Sequence, residues 1–415
     1  MIASANSRPD ARQACVLAVA LLWAILLLSL APGAKGEAAA QPKVDEDPSG
    51  APYVAGELLV VYEPGTTESA EQAIVRGSGG LTAEGLPGKM RVVTFPGIKQ
   101  EKPEEARERA LQRKLEKLRD EPGVEAADYN HIYKATSYPD DPRFGGQWGL
   151  ESTAFPGAWI DARGTGARVA VVDSGIDRYH PDLGIKVAEQ KNYVAGGAGI
   201  RDLYDHGTHV AGIVAALTNN GKGVAGGCPA CKLLIARVLD ARGDTTGARL
   251  VKGIDWSVDN GADVINLSLA GPANNGVRIA VNNARANGIV VVAAAGNEYG
   301  ATTKQYPAAY QKVIAVSATN ENDGLASTSS RGDWVDLAAP GTDILSTQTG
   351  GGYNEVSGTS ESAPFVSALA GLLASEGKTA SEIRQRMQST ATDLGPAGDD
   401  PSFGHGRINA NRAVP

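Results

Sequence analysis

The chain has 415 residues, enough for two or three domains, and its 42% apolar content can fill a sizeable core. Its 51 glycines follow no three-residue period, which excludes collagen, and its net charge of −8 argues against general nucleic-acid binding. No segment repeats at a fixed period.

Residues 1–36 have the layout of an export signal. Arg8 and Arg12 precede an apolar run from Cys15 to Leu30, and small residues follow as Ala31-Pro32-Gly33-Ala34. An uncleaved membrane anchor is the alternative, because the run is near the lower length for spanning. Residues 37–51, rich in Ala, Pro, Asp and Glu, read as a flexible linker. From Tyr53 the texture changes. Strands are predicted over Glu57–Tyr62, Lys89–Phe95 and Val124–Tyr133, with helices over Glu68–Val75 and Glu104–Arg119. The longer helix carries Ala106, Ala110, Leu111, Leu115 and Leu118 at helical spacing. This small α+β module, residues 52–135, has no cluster of catalytic residue types, so a structural or regulatory role is expected of it.

An exposed linker is predicted over residues 134–142, and the remainder, 136–415, reads as a second domain. There, apolar strands alternate with helices. Strands are expected at Arg168–Val172, Lys232–Leu239, Asp263–Leu269, Ile289–Ala294 and Val313–Ser317. Helices are expected at Gly207–Leu217, Thr246–Asn260, Val277–Asn287 and Phe365–Ala374. That alternation implies an α/β domain with a mostly parallel sheet, whose ligands bind at the carboxyl ends of its strands.

Four polar residues fall at a strand end or a helix start. Asp173 follows the first strand and can orient an imidazole, although a helix cap or turn former is the better reading of a lone aspartate. His206 and His209 open a helix. Two histidines three apart are compatible with a metal, but no third ligand of that type is near. Asn297 follows Ala295-Gly296 and can donate an amide N–H. Ser360, in Gly358-Thr359-Ser360-Glu361-Ser362-Ala363-Pro364, stands where a helix N-terminus favours negative charge. Alone it could be an ordinary helix cap. Together, in the order Asp, His, Asn, Ser, they supply an orienter, a base, an oxyanion donor and a nucleophile. Cys228 and Cys231 cannot provide four zinc ligands. In an exported chain they are expected to form a local disulfide, with a redox pair as the alternative.

The motifs Val171-Val172-Asp173-Ser174-Gly175, His206-Gly207-Thr208-His209-Val210-Ala211-Gly212 and Gly358-Thr359-Ser360 with Ala363-Pro364 resemble those of subtilisin-like serine proteases. The resemblance covers residues 138–413. Tyr138-Pro139-Asp140-Asp141-Pro142, Thr218-Asn219-Asn220 and Gly332-Asp333-Trp334-Val335-Asp336 point to the thermitase-like branch. Residues 52–135 resemble the inhibitory propeptide that accompanies such enzymes. The resemblance implies a subtilisin-like three-layer α/β domain and a secreted, monomeric endopeptidase made as a self-processing precursor. Its partners would be protein or peptide substrates and its own propeptide, acting as intramolecular chaperone and inhibitor. It assigns Asp173 to hold the tautomer of His206, His206 to take the proton of Ser360, and Asn297 to the oxyanion.

Substrate would pair with Ser268-Leu269-Ala270 and lie against Ala295 and Gly296, with Gln305 at the base of a pocket. The family usually has glycine where Ala270 stands. The resemblance also implies a structural Ca²⁺ site from Asp141, Asp182 and Asn220 with the carbonyls of Leu217, Lys222 and Val224. Glu361 departs from the family, which commonly carries methionine directly after the nucleophile. A carboxylate near His206 would raise the imidazolium's pKa.

Overall fold

The computed structural model describes residues 43–48, 52–132, 138–197 and 199–414. The predicted export signal therefore lies outside the described residues, as does the stretch 133–137 within the predicted linker. No helix among the described residues is long and apolar enough to cross a membrane. The chain divides into two compact units at Ile132/Tyr133.

In the first unit, β1 (Val44–Glu46), β2 (Pro52–Tyr62), β3 (Leu81–Leu86), β4 (Met90–Thr94) and β5 (Val124–His131) form one antiparallel sheet with β2 at its centre. Helices α1 (Glu68–Ser78) and α2 (Glu104–Arg119) accompany it. Leu111, Leu115 and Leu118 of α2 pack on Leu58, Val60 and Val93, as the helical spacing predicted. Residues 37–51 are not all linker. Val44–Glu46 pairs with Pro52–Val54, and Asp45 is buried against Arg107 of α2. The composition hid this because the partner lies far along the chain. Strand β3 escaped prediction as well. It is an exposed edge strand without an apolar face.

In the second unit, β6 (Arg168–Asp173), β7 (Val187–Asn192), β8 (Lys232–Arg237), β9 (Val264–Leu267), β10 (Val290–Ala294), β11 (Ile314–Thr319) and β12 (Leu337–Pro340) form a seven-stranded sheet. Its order is β12-β11-β10-β9-β6-β8-β7, and every pairing is parallel. Interspersed are helices α3 (His206–Ala215), α4 (Gly247–Asp259) and α5 (Asn275–Ala286). The hairpin of β13 (Ile344–Gln348) and β14 (Gly352–Val356) precedes α6 (Thr359–Ser375) and α7 (Ala380–Ser389).

Side chains alternate across the sheet. Val169 and Val171 of β6 join one core with α3 and α6, whereas Ala170 and Val172 join another with α4 and α5. Both faces are covered, which explains why these strands read as continuous apolar runs rather than alternating ones. The expected three-layer architecture is present. From β6 the chain runs to β7 and β8 on one side, then returns to β9 on the other. That reversal opens a crevice at the carboxyl ends of β6 and β9.

Candidate active site

Asp173 ends β6, His206 begins α3, Asn297 follows β10, and Ser360 is the second residue of α6. The sheet and its flanking helices thus bring the four predicted residues to one edge. His206, Asn297 and Ser360 line a single cleft of about 580 Å³, with Ser268, Leu269, Ala270 and Glu361. Asp173 lies beneath it, 1% exposed. Close approach of α3 to the loop after β6 requires Gly207. A Cβ there would stand 2.4 Å from the Gly175 carbonyl oxygen.

Asp173 Oδ1 accepts from His206 Nδ1 at 2.8 Å and from the Ser174 N–H at 2.6 Å. The aspartate is therefore both turn former and orienter. Ser174 Oγ donates to Asp202, a buried carboxylate that also accepts from Thr208 and from the N–H groups of Tyr204 and Asp205. This cluster fixes the loop that delivers His206. Burial opposes an imidazolium at His206, but the Asp173 carboxylate, by charge and hydrogen bond, outweighs it. With Glu361 and Asp202 adding to Asp173, the group is pushed up to about 9.

Ser360 does not cap its helix. The cap position is Gly358, and Ser360 Oγ donates to the Ser268 carbonyl oxygen at 3.2 Å. Among the described residues no hydrogen bond joins Ser360 Oγ to His206. Catalytic hydrogen bonds of this kind often form only when substrate is bound. The helix start is tied to the end of β9 by a buried chain. Ser367 Oγ donates to Asn266 Oδ1, Asn266 Nδ2 to Ser268 Oγ, and Ser268 Oγ to the Ser360 carbonyl oxygen. Sequence reading missed this chain. Its signal was Asn266, a polar residue inside the apolar run Val264-Ile265-Asn266-Leu267, where burial demands a partner.

Asn297 Oδ1 accepts from both the N–H and the hydroxyl of Thr359, each at 2.9 Å. A backbone N–H can only donate, so this contact fixes the amide oxygen and leaves Nδ2 as the free end. The Ser360 N–H has no partner among the described residues. Two donors are thus available beside Ser360.

On the substrate side, the main-chain groups of Leu269 and Ala270 have no backbone partner among the described residues. Ala295 is buried and donates its N–H to Val316. Gly296, at φ +110°, packs so closely on Gln305 that a Cβ would stand 2.6 Å from the glutamine Cγ. Gln305 is accordingly buried behind Gly296. Cys228 and Cys231, both fully buried, form the expected disulfide.

The residues predicted to hold calcium also converge. Asp141 and Asp182 are buried, Asn220 Nδ2 donates to Asp182 Oδ1 at 2.8 Å, and the N–H groups of Asn219 and Asn220 face Asp141. Burial raises the Asp141 carboxyl above its usual range. The carbonyls of Leu217, Lys222 and Val224 accept no hydrogen bond among the described residues. Asn220 Oδ1 accepts from the Lys222 N–H at 2.8 Å, so the oxygens left for a cation are those of two carboxylates and three unused carbonyls, a chemistry that suits Ca²⁺. Only two of these side chains are carboxylates, in keeping with the absence, among the described residues, of any cluster of three His, Cys, Asp or Glu suited to a metal.

A parallel sheet covered on both faces, with this Asp, His, Asn and Ser at its carboxyl edge, has the architecture of a subtilisin-like peptidase. Residues 164–406 match Peptidase_S8, the subtilase family, and the chain belongs to that family. A thermophilic serine proteinase of Bacillus sp. (strain AK1) is 41% identical over 365 residues, covering 87% of this chain and 88% of the relative. Thermitase of Thermoactinomyces vulgaris is 45% identical over 278 residues, covering 66% and 99% respectively. A solved protease structure from Pseudoalteromonas arctica PAMC 21717 superimposes with a TM-score of 0.63 at 33% identity, covering 67% of this chain and 99% of that one. The chain is a thermitase-like subtilase and a serine-type endopeptidase.

Proposed function

We propose that the protein is a secreted endopeptidase working through Asp173, His206 and Ser360, with Asn297 completing the oxyanion site, and made as a self-processing precursor. The observation that carries this reading is the 2.8 Å Asp173–His206 contact in a cleft shared with Ser360 and Asn297. Asp173 holds the Nδ1 proton, so Nε2 is the basic end of His206. His206 takes the Ser360 proton as Oγ attacks the peptide carbonyl, then returns it to the leaving amine. The Asn297 amide and the Ser360 N–H receive the negative oxygen. An extended substrate adds a strand along Ser268, Leu269 and Ala270. Gln305, behind Gly296, sets the depth of the pocket for the residue before the cut.

Calcium, when bound, supplies a fixed positive charge with no part in the reaction. Asp141, Asp182 and Asn220 with the three carbonyls would hold it and pin the loop 217–224 to the start of the domain. The N-terminal unit serves as chaperone and inhibitor until cleavage within residues 130–140, and the mature enzyme is a monomer. Full-length chain expressed in a protease-deficient host should mature to the shorter form, and Ser360→Ala should remain full length. Maturation of Ser360→Ala at the parental rate would show that Ser360 does not perform the cut.

A further inference from the structure

Glu361 follows the nucleophile directly and is 1% exposed, so its carboxyl has been taken out of water. Its Oε1 has no hydrogen-bond partner among the described residues, and it faces His209 Nδ1 at 3.8 Å. Nδ1 also has no partner. The other ring nitrogen, Nε2, faces the carbonyl oxygens of Ile344 at 3.1 Å and Asn354 at 3.3 Å. Carbonyls only accept, so Nε2 carries a proton and neutral His209 presents a lone pair at Nδ1. Two desolvated acceptors facing each other need a proton between them. The gap exceeds direct hydrogen-bond length, so the proton belongs to one side or the other, as carboxylic acid or as imidazolium.

Resting on the endopeptidase reading above, we propose that Glu361 is a positioning residue for the reaction: with His209 it forms a proton-holding pair in the cleft wall, and its ionised form keeps His206 protonated, so that it sets the pH at which the base is freed. Burial pushes Glu361 up to about 7 and His209 down to about 4, which favours the neutral acid beside the neutral imidazole between about pH 4 and pH 7. On loss of that proton a carboxylate stands in a wall it shares with His206 and Ser360. Other carboxylates also bear on the site. Asp173 and Asp202 act on His206, and Asp205, with His206, acts on His209. From the hairpin, the carbonyls of Ile344 and Asn354 face the His209 ring and Ser346 Oγ donates to the His209 carbonyl.

The sign follows from the charge. An anionic Glu361 stabilises the imidazolium of His206, and catalysis needs that imidazole neutral. Removing the charge therefore frees the base at lower pH. The test follows the His206 imidazole by NMR across pH in full-length Ser360→Ala chain, alone and with Glu361→Gln or Glu361→Met. The expected result is a His206 midpoint about one pH unit lower in both variants. Coincident titrations in all three proteins would overturn the proposal. So would a shift with Met but not with Gln, because that pattern reports packing rather than charge. This readout needs no turnover, so an inactive enzyme would count against the endopeptidase reading and not against the pair.

Discussion

The two units bury charge in opposite ways. In the N-terminal unit, Asp45 and Arg107 are almost fully enclosed, and each answers the other. Arg107 Nε donates to one carboxylate oxygen at 2.6 Å, a terminal nitrogen donates to the other, and a second terminal nitrogen reaches the Glu101 carbonyl. In the second unit, Glu361 and His209 are equally enclosed, but their facing atoms have no hydrogen-bond partner among the described residues. A satisfied pair fixes structure, and breaking it strands a charge. An unsatisfied one holds a proton loosely, and such groups are placed where chemistry uses them.

The contrast can be broken at either end. The largest expected effect is at Asp45. Asp45→Ala removes the bidentate partner of a buried guanidinium and should destabilise the N-terminal unit by about 3–5 kcal/mol. Hydrogen exchange of the β2 and β4 amides in full-length Ser360→Ala chain reads this locally, and unchanged protection would contradict it. The same measurement around α6 should register less than about 1 kcal/mol for Glu361→Gln, because no direct hydrogen bond spans the 3.8 Å gap to His209.

The predicted calcium residues lie between these extremes. Their carboxylates have N–H partners yet leave carbonyls unused nearby. Saturating calcium at a hundredfold excess over Kd would stabilise the folded domain by about 2.7 kcal/mol. Chelator should therefore lower the Tm of the inhibited enzyme, and Asp182→Ala should remove most of that response. Identical melting curves with and without chelator would exclude the site.

Much of the site was legible in the sequence, for a physical reason. Asp173, His206, Asn297 and Ser360 each follow a strand or open a helix, and apolar runs mark where strands and helices end. What escaped was set by tertiary contact. Asp45 sits in a polar stretch, and only the fold brings Arg107 to it. Strands β13 and β14 form a hairpin of mixed composition that periodicity does not separate from loop. The sequence left open whether Glu361 lies near His206; it shares the cleft wall with His206, and its Oε1 also faces His209. One turn of helix separates the two histidines, and their different roles depend on the carbonyls of Ile344 and Asn354, which reach His209 from the hairpin.

The central claim is that Ser360 is a nucleophile activated by His206. Treating the mature protein and its His206→Ala variant with a serine-directed phosphonate, then measuring intact mass and mapping the adduct, tests it most directly. The expected result is one adduct per chain, located on Ser360, forming at least about a thousandfold more slowly without His206. An unlabelled Ser360, or equal labelling rates in the two proteins, would contradict it.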